Sequence, residues 1–153
     1  MKQLTIIVGS KSDLDTINAA KDYLEFFGFE YDLQVLSAHR QHAELQVYLK
    51  EIEAEGTVQT IIACAGMAAH LPGVVAAMTQ IPVIGVPLNA SPLGGVDALY
   101  SIVQMPKGIP VATMTIGKAG VINAIVYTAK IIALHDDSMK AKLVDFHNKG
   151  SKL

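Results

Sequence analysis

Residues 60–73 read "TIIACAGMAAHLPG". The first six positions are apolar or β-branched throughout, with no alternation between apolar and polar. A strand with one wet face alternates; a strand buried on both faces does not, and the latter belongs to a parallel sheet held between two layers of helices. The run ends at Gly66 and opens into small residues around one polar ring, His70. Pro72 suits a first helical turn, so a short helix over 73–78 should follow. Strand, small-residue loop, helix: this unit repeats along the chain.

Upstream, Leu4–Val8 is a β-branched run that stops at Gly9, a first strand. Leu14, Ile17, Ala20, Leu24 and Phe27 follow at helical spacing, with Ser12 and Asp15 placed like a capping box and Gly28 as a stop. Residues 31–36 form a second strand, running into "SAHRQ" (37–41). Leu45, Tyr48, Leu49 and Ile52 mark the next helix, closed by Gly56. Downstream, 83–86 is a fourth strand bracketed by Pro82 and Pro87, and "NASPLGG" (89–95) is a loop before a helix over 96–104. Then come a fifth strand over 111–115, a turn "GKAG" (117–120), a long apolar helix over 121–134 and a charged C-terminal helix at about 136–149. The alternation predicts an α/β fold with a doubly wound parallel sheet, a three-layer sandwich. No linker or repeat interrupts it, so the expectation is a single domain over 1–153.

Charge narrows the function. Hydrophobic residues are 51% of the chain and charged residues 17%, against roughly 25% charged in an average domain. Between Glu55 and Asp97 there is no Asp, Glu, Lys or Arg. Prolines break that segment too often for a membrane span, so it should be hidden on every side, partly by other subunits, which predicts a homo-oligomer. The net charge is −2, and no basic run marks a nucleic-acid partner. One cysteine, Cys64, excludes an internal disulfide, and the apolar run before Gly9 is too short for a signal h-region, so no leader is expected. A cytoplasmic protein is expected, with neither membrane nor nucleic acid as partner.

In a parallel sheet the loops after strands one, two and three emerge on one side, so "GSKSD" (9–13), "SAHRQ" and "AGMAAHLPG" (65–73) should converge. Gly9 permits close approach, Ser10 and Ser12 bring hydroxyls, and amides opening a helix attract anions. Asp13 can accept hydrogen bonds from a ribose diol. Equally, these residues fit a plain helix cap. Arg40 can grip a phosphate or carboxylate with two hydrogen bonds, and His39 beside it is a ring able to give and take a proton; both also fit a loop facing water. His42 is a second histidine candidate, placed where a helix should start. His70 suits either a structural bond or donation to a carboxylate. The histidines (His39, His42, His70, His135, His147) lack metal-ligand spacing, so no metal is expected.

"GSKSD", "SAHR", "AAHLPG", "IPVIGVP", "GVDALYSIVQMPKGIPVAT" and "IGKAG" occur here in the order that resembles the N5-carboxyaminoimidazole ribonucleotide mutases of purine biosynthesis, in their bacterial, ATP-independent class. The resemblance runs from about Leu4 to Leu134. It implies a flavodoxin-like fold, a homo-octamer with sites where subunits meet, and no cofactor. The substrate would be a ribonucleotide whose carboxylate moves from the exocyclic nitrogen to ring carbon 4. It also implies residue roles. His39 would be the catalytic acid and base. Ser10, Asp13 and Arg40 would hold the ribose phosphate, assisted by Gly9, Ser12 and Ser37. His70, with the backbone of Gly66, Ala68 and Leu71, would hold the carboxylate.

Two departures stand out. Relatives usually read "GGAAHL" where this chain has Met67 at the second glycine, and they commonly carry Thr-Pro where it has Gln41-His42. The first should alter the carboxylate pocket; the second should loosen the loop. Two other readings stay open: a direct aminoimidazole ribonucleotide carboxylase, and a nucleotide-binding module without catalysis.

Overall fold

The computed structural model describes residues 2–153. Five parallel strands, β1 (Leu4–Val8), β2 (Tyr31–Val35), β3 (Thr60–Gly66), β4 (Val83–Leu88) and β5 (Ala112–Thr113), stand in the order β2-β1-β3-β4-β5. That is the flavodoxin-like arrangement, in which strand order reverses beside β1. The helices are α1 (Leu14–Asn18), α2 (Lys21–Phe27), α3 (His42–Glu55), α4 (Leu71–Met78), α5 (Val96–Val103), α6 (Lys118–Ile132) and α7 (Asp137–Asn148).

Both faces of the sheet are covered, as the unalternated strands require. Ile6, Val8, Ile62, Cys64, Ile84 and Val86 pack on one side with buried residues of α1, α2, α6 and α7, including Ile17, Phe27, Ile125 and Phe146. Ile7, Ile61, Ala63, Ala65 and Val83 face the other way, onto Leu45 and Leu49 of α3, Val75 of α4 and Ile102 of α5. Two strand hydroxyls are satisfied across the layers. Thr60 Oγ1 donates to Thr128 Oγ1 of α6 at 3.2 Å, and Thr5 Oγ1 lies 3.1 Å from the Tyr48 hydroxyl of α3. Register aligns the strand ends: Val8 sits opposite Val35 and Cys64, and Gly66 opposite Leu88. The loops that follow therefore leave from one edge.

Several boundaries differ from the sequence reading, each for a local reason. The first helix is broken after Asn18 and resumes at Lys21, while its apolar face (Ile17, Ala20, Leu24, Phe27) stays buried across the break. Its capping box is Ser10 with Asp13, not Ser12 with Asp15, because the chain turns into one 3-10 turn (Lys11–Asp13) before α1. β4 runs through Pro87 to Leu88. Pro87 presents its carbonyl, which accepts from Gly117 N–H at 2.8 Å, on the side where β5 has already ended; its missing N–H therefore costs no ladder bond. β5 shrinks to two residues, and α6 starts at Lys118, so "GKAG" opens the helix rather than forming a turn.

The charge-free segment is only partly hidden. Its strands β3 and β4 are buried because they are central, but Met67, Leu93 and Val96 remain exposed in the single chain. Among the described residues no helix is long and apolar enough to cross a membrane.

Candidate active site

At the carboxyl edge, where the strand order reverses, the loops after β1, β2 and β3 enclose one cavity of about 490 Å³. It is lined by Gly9, Ser10, Ser12 and Asp13 from the first loop, and by Ser37, His39 and Arg40 from the second. The third loop brings Gly66, Met67, Ala68, His70 and Leu71. Every residue given a site role by the family resemblance thus lines one cavity. His42 does not: it begins α3, outside the cavity. Sequence reasoning missed Ala38, Ala65 and Ala90, methyl-bearing wall residues with no chemical signal of their own. Ala90 comes from a fourth loop, after β4, and a Cβ on Gly66 would lie 2.5 Å from its methyl carbon. That position must stay glycine.

Each loop is tied down. Ser10 Oγ accepts from Ser12 N–H at 3.3 Å, and the Asp13 carboxylate accepts from Ser10 N–H at 3.1 Å. Burial pushes the Asp13 carboxyl above its ordinary range, and the Ser10 bond only partly opposes this. In the second loop the Gln41 side chain takes the place of the absent proline as a brace. Its carbonyl accepts from Ser37 N–H at 3.2 Å, while Gln41 N–H donates to Ser37 O at 2.9 Å and Arg40 N–H to Ser37 Oγ at 3.3 Å. The Arg40 guanidinium itself makes no ion pair or hydrogen bond among the described residues. It is a free, exposed cation at the rim.

Opposite lie the two rings. His39 Nε2 is 2.7 Å from His70 Nδ1, with the ring planes at 73°. One nitrogen donates and the other accepts, so the pair shares a proton. His70 is also the residue before α4, whose first free N–H groups point out of the helix start beside it. Met67 holds φ +56°, a left-handed backbone that an L side chain rarely adopts, and is 59% exposed. A single chain leaves the cavity open: His39, Met67 and His70 are all exposed. One chain builds a floor and two walls, and no roof.

The remaining candidates are chemically quieter. Burial pushes the Cys64 thiol far up, with the Asp13 charge adding to the effect, so it is inert core. A second cavity of about 530 Å³, lined by 79–84, 108–110 and Tyr127 among others, carries no carboxylate, imidazole or cation. Among the described residues no three His, Cys, Asp or Glu side chains gather as a metal site would need.

Fold and cavity together define a flavodoxin-like α/β protein in which a cavity with a free arginine and a histidine pair occupies the switch point of the sheet. The sequence matches the family described as AIR carboxylase over residues 3–152, and the chain belongs to that family. It is 49% identical over 140 residues to the N5-carboxyaminoimidazole ribonucleotide mutase of Brucella melitensis, spanning 92% of this chain and 86% of that one. The protein of the same name from Escherichia coli K12 is 47% identical over 144 residues, 94% and 85% of the two chains. Among solved structures, Treponema denticola PurE superposes with a TM-score of 0.88 at 28% identity, covering 97% of this chain and 90% of that one.

Proposed function

We propose that this protein is an N5-carboxyaminoimidazole ribonucleotide mutase, moving the carboxylate of its substrate from the exocyclic nitrogen to ring carbon 4 without ATP. The observation that carries the reading is the single cavity in which a free Arg40 and the hydroxyls of Ser10 and Ser12 face the His39–His70 pair, 2.7 Å apart. One side suits the anionic ribose phosphate; the other suits proton transfer.

The cavity supports the following sequence of steps. Arg40, Ser10, Ser12 and Ser37 bind the phosphate, and Asp13 accepts from ribose hydroxyls, so binding energy remote from the reaction orients the ring. The helix opening at Ser10 is too short, and too occupied with its own caps, to hold the phosphate by its dipole, which leaves that task to Arg40 and the hydroxyls. Cationic His39 gives its proton to the carbamate nitrogen; the nitrogen–carbon bond breaks, releasing carbon dioxide and leaving aminoimidazole ribonucleotide. Carbon 4 then attacks carbon dioxide, a carbon–carbon bond forms, and neutral His39 takes the proton from carbon 4. The proton lent in the first half returns in the second, and the reaction is a net isomerisation. His70 and the α4 start stabilise the carboxylate before and after migration.

Two further points belong to this proposal. The assembly is a homo-octamer: Leu93, Val96, Tyr100 and Val103 form an exposed apolar stripe along α5 and the loop before it, and that loop carries Ala90 to the cavity rim, so a subunit laid on the stripe would roof the site. Its place is the cytoplasm, in keeping with a lone, unpaired Cys64. The deciding experiment incubates carboxyl-labelled carbamate substrate with enzyme, without ATP or added bicarbonate. Label on ring carbon 4 is expected. Product formed only from aminoimidazole ribonucleotide and carbon dioxide would instead identify a direct carboxylase, and binding without turnover a non-catalytic module.

A further inference from the structure

We infer that Met67 is a retention residue for the released carbon dioxide: its thioether side chain closes the open mouth of the carboxylate subsite while the intermediate waits beside the ring. This inference rests on the mutase reading and deepens it. The backbone supplies the first observation. At φ +56° Met67 stands where glycine would sit freely, and among the described residues the only other non-glycine at positive φ is Ser151, near the chain end. An outlier kept inside a functional cavity calls for a use of the side chain.

Packing does not provide that use. Met67 belongs to neither core cluster and is 59% exposed, yet it lines the cavity with His39 and His70. Its neighbours Ala65, Gly66, Ala68 and Ala69 offer at most a methyl group; of the two longer apolar side chains that this loop brings to the cavity, Leu71 is buried and Met67 alone is exposed. The chemistry asks for such a group. Carbon dioxide is small and uncharged and offers Arg40 or the serines little to hold, so an apolar cover must keep it from water. An unbranched thioether with three rotatable bonds can fold over the subsite and withdraw for exchange of substrate and product.

The test compares wild type, Met67→Gly and Met67→Leu on carboxyl-labelled carbamate in unlabelled bicarbonate, with enzyme-free loss subtracted. The readout is the fraction of label retained on ring carbon 4 per turnover. Glycine accepts the left-handed backbone, so that variant folds. With water admitted to the intermediate, Met67→Gly should lose label at least about fivefold more often, and release correspondingly more aminoimidazole ribonucleotide, while Met67→Leu stays within about twofold of wild type. Equal retention in all three proteins, with transfer intact, overturns this inference alone. A wild type that moves no label overturns the mutase reading, and this inference with it.

Discussion

Asp13 shows most clearly how the cavity trades stability for binding. The residue is 8% exposed, and its carboxyl accepts from Ser10 N–H and is held above its ordinary range by burial. A raised carboxyl means that the native state keeps its proton more tightly than the unfolded chain. Below the ordinary carboxylate range both states are protonated and the burial does no harm. As pH rises through that range and past the raised value, the ionised buried group costs stability. Asp13→Asn, which keeps an oxygen for Ser10 N–H, should therefore melt above wild type at neutral pH, with the gap closing as pH falls below the carboxylate range. Thermal melts across pH check this; a variant less stable at neutral pH would contradict it. At this scale the sequence was informative wherever a side chain carried chemistry. Ser10, His39, Arg40 and His70 could be named as candidates because hydroxyl, ring and guanidinium carry chemistry, although a helix cap or a water-facing loop uses the same groups, and the shared motifs of the family tipped the choice. Ala38, Ala65 and Ala90 could not, since a methyl group looks the same in a wall as in a core.

Elements were legible where burial repeats and illegible where a single contact decides. Ile61, Ile62, Val83 and Ile84 announce central strands because both their faces are covered, and Gly28 and Gly56 end α2 and α3 in left-handed geometry as expected. The β5–α6 connection is different. Only Ala112 and Thr113 pair with β4, and α6 begins early because Gly117 N–H reaches Pro87 O and Gly120 lies against the backbone. A Cβ on Gly120 would lie 1.8 Å from Thr115 O. No periodicity reveals that approach. Gly120→Ala must push the start of α6 away from the Thr115 carbonyl and should cost about 3 kcal/mol, the upper end for overpacking. Urea unfolding measures it, and a loss below about 1 kcal/mol would show that the connection yields easily. The second loop carries the same lesson. Without a proline it was expected to be loose, yet Gln41 braces it through Ser37, an interaction that spacing alone does not disclose.

At the scale of the whole molecule, the strand order β2-β1-β3-β4-β5 places β1 and β3 side by side and brings their loops, with that of β2, to one cavity. The same order explains the missing charges, because β3 and β4 are the inner strands. It does not explain the exposed Leu93, Val96, Tyr100 and Val103, which need another surface. Light scattering at micromolar concentration should find an assembly of eight chains, and a monomer would remove the proposed roof from the site. The central claim is that His39, at the meeting of three loops, carries the proton in both halves of the reaction. It is tested most directly by His39→Asn assayed for transfer of labelled carboxyl to ring carbon 4, alongside binding of the phosphorylated substrate. Transfer should fall by at least about a hundredfold, the least that a positioned acid and base contributes, with binding retained; transfer near the wild-type rate would contradict the account.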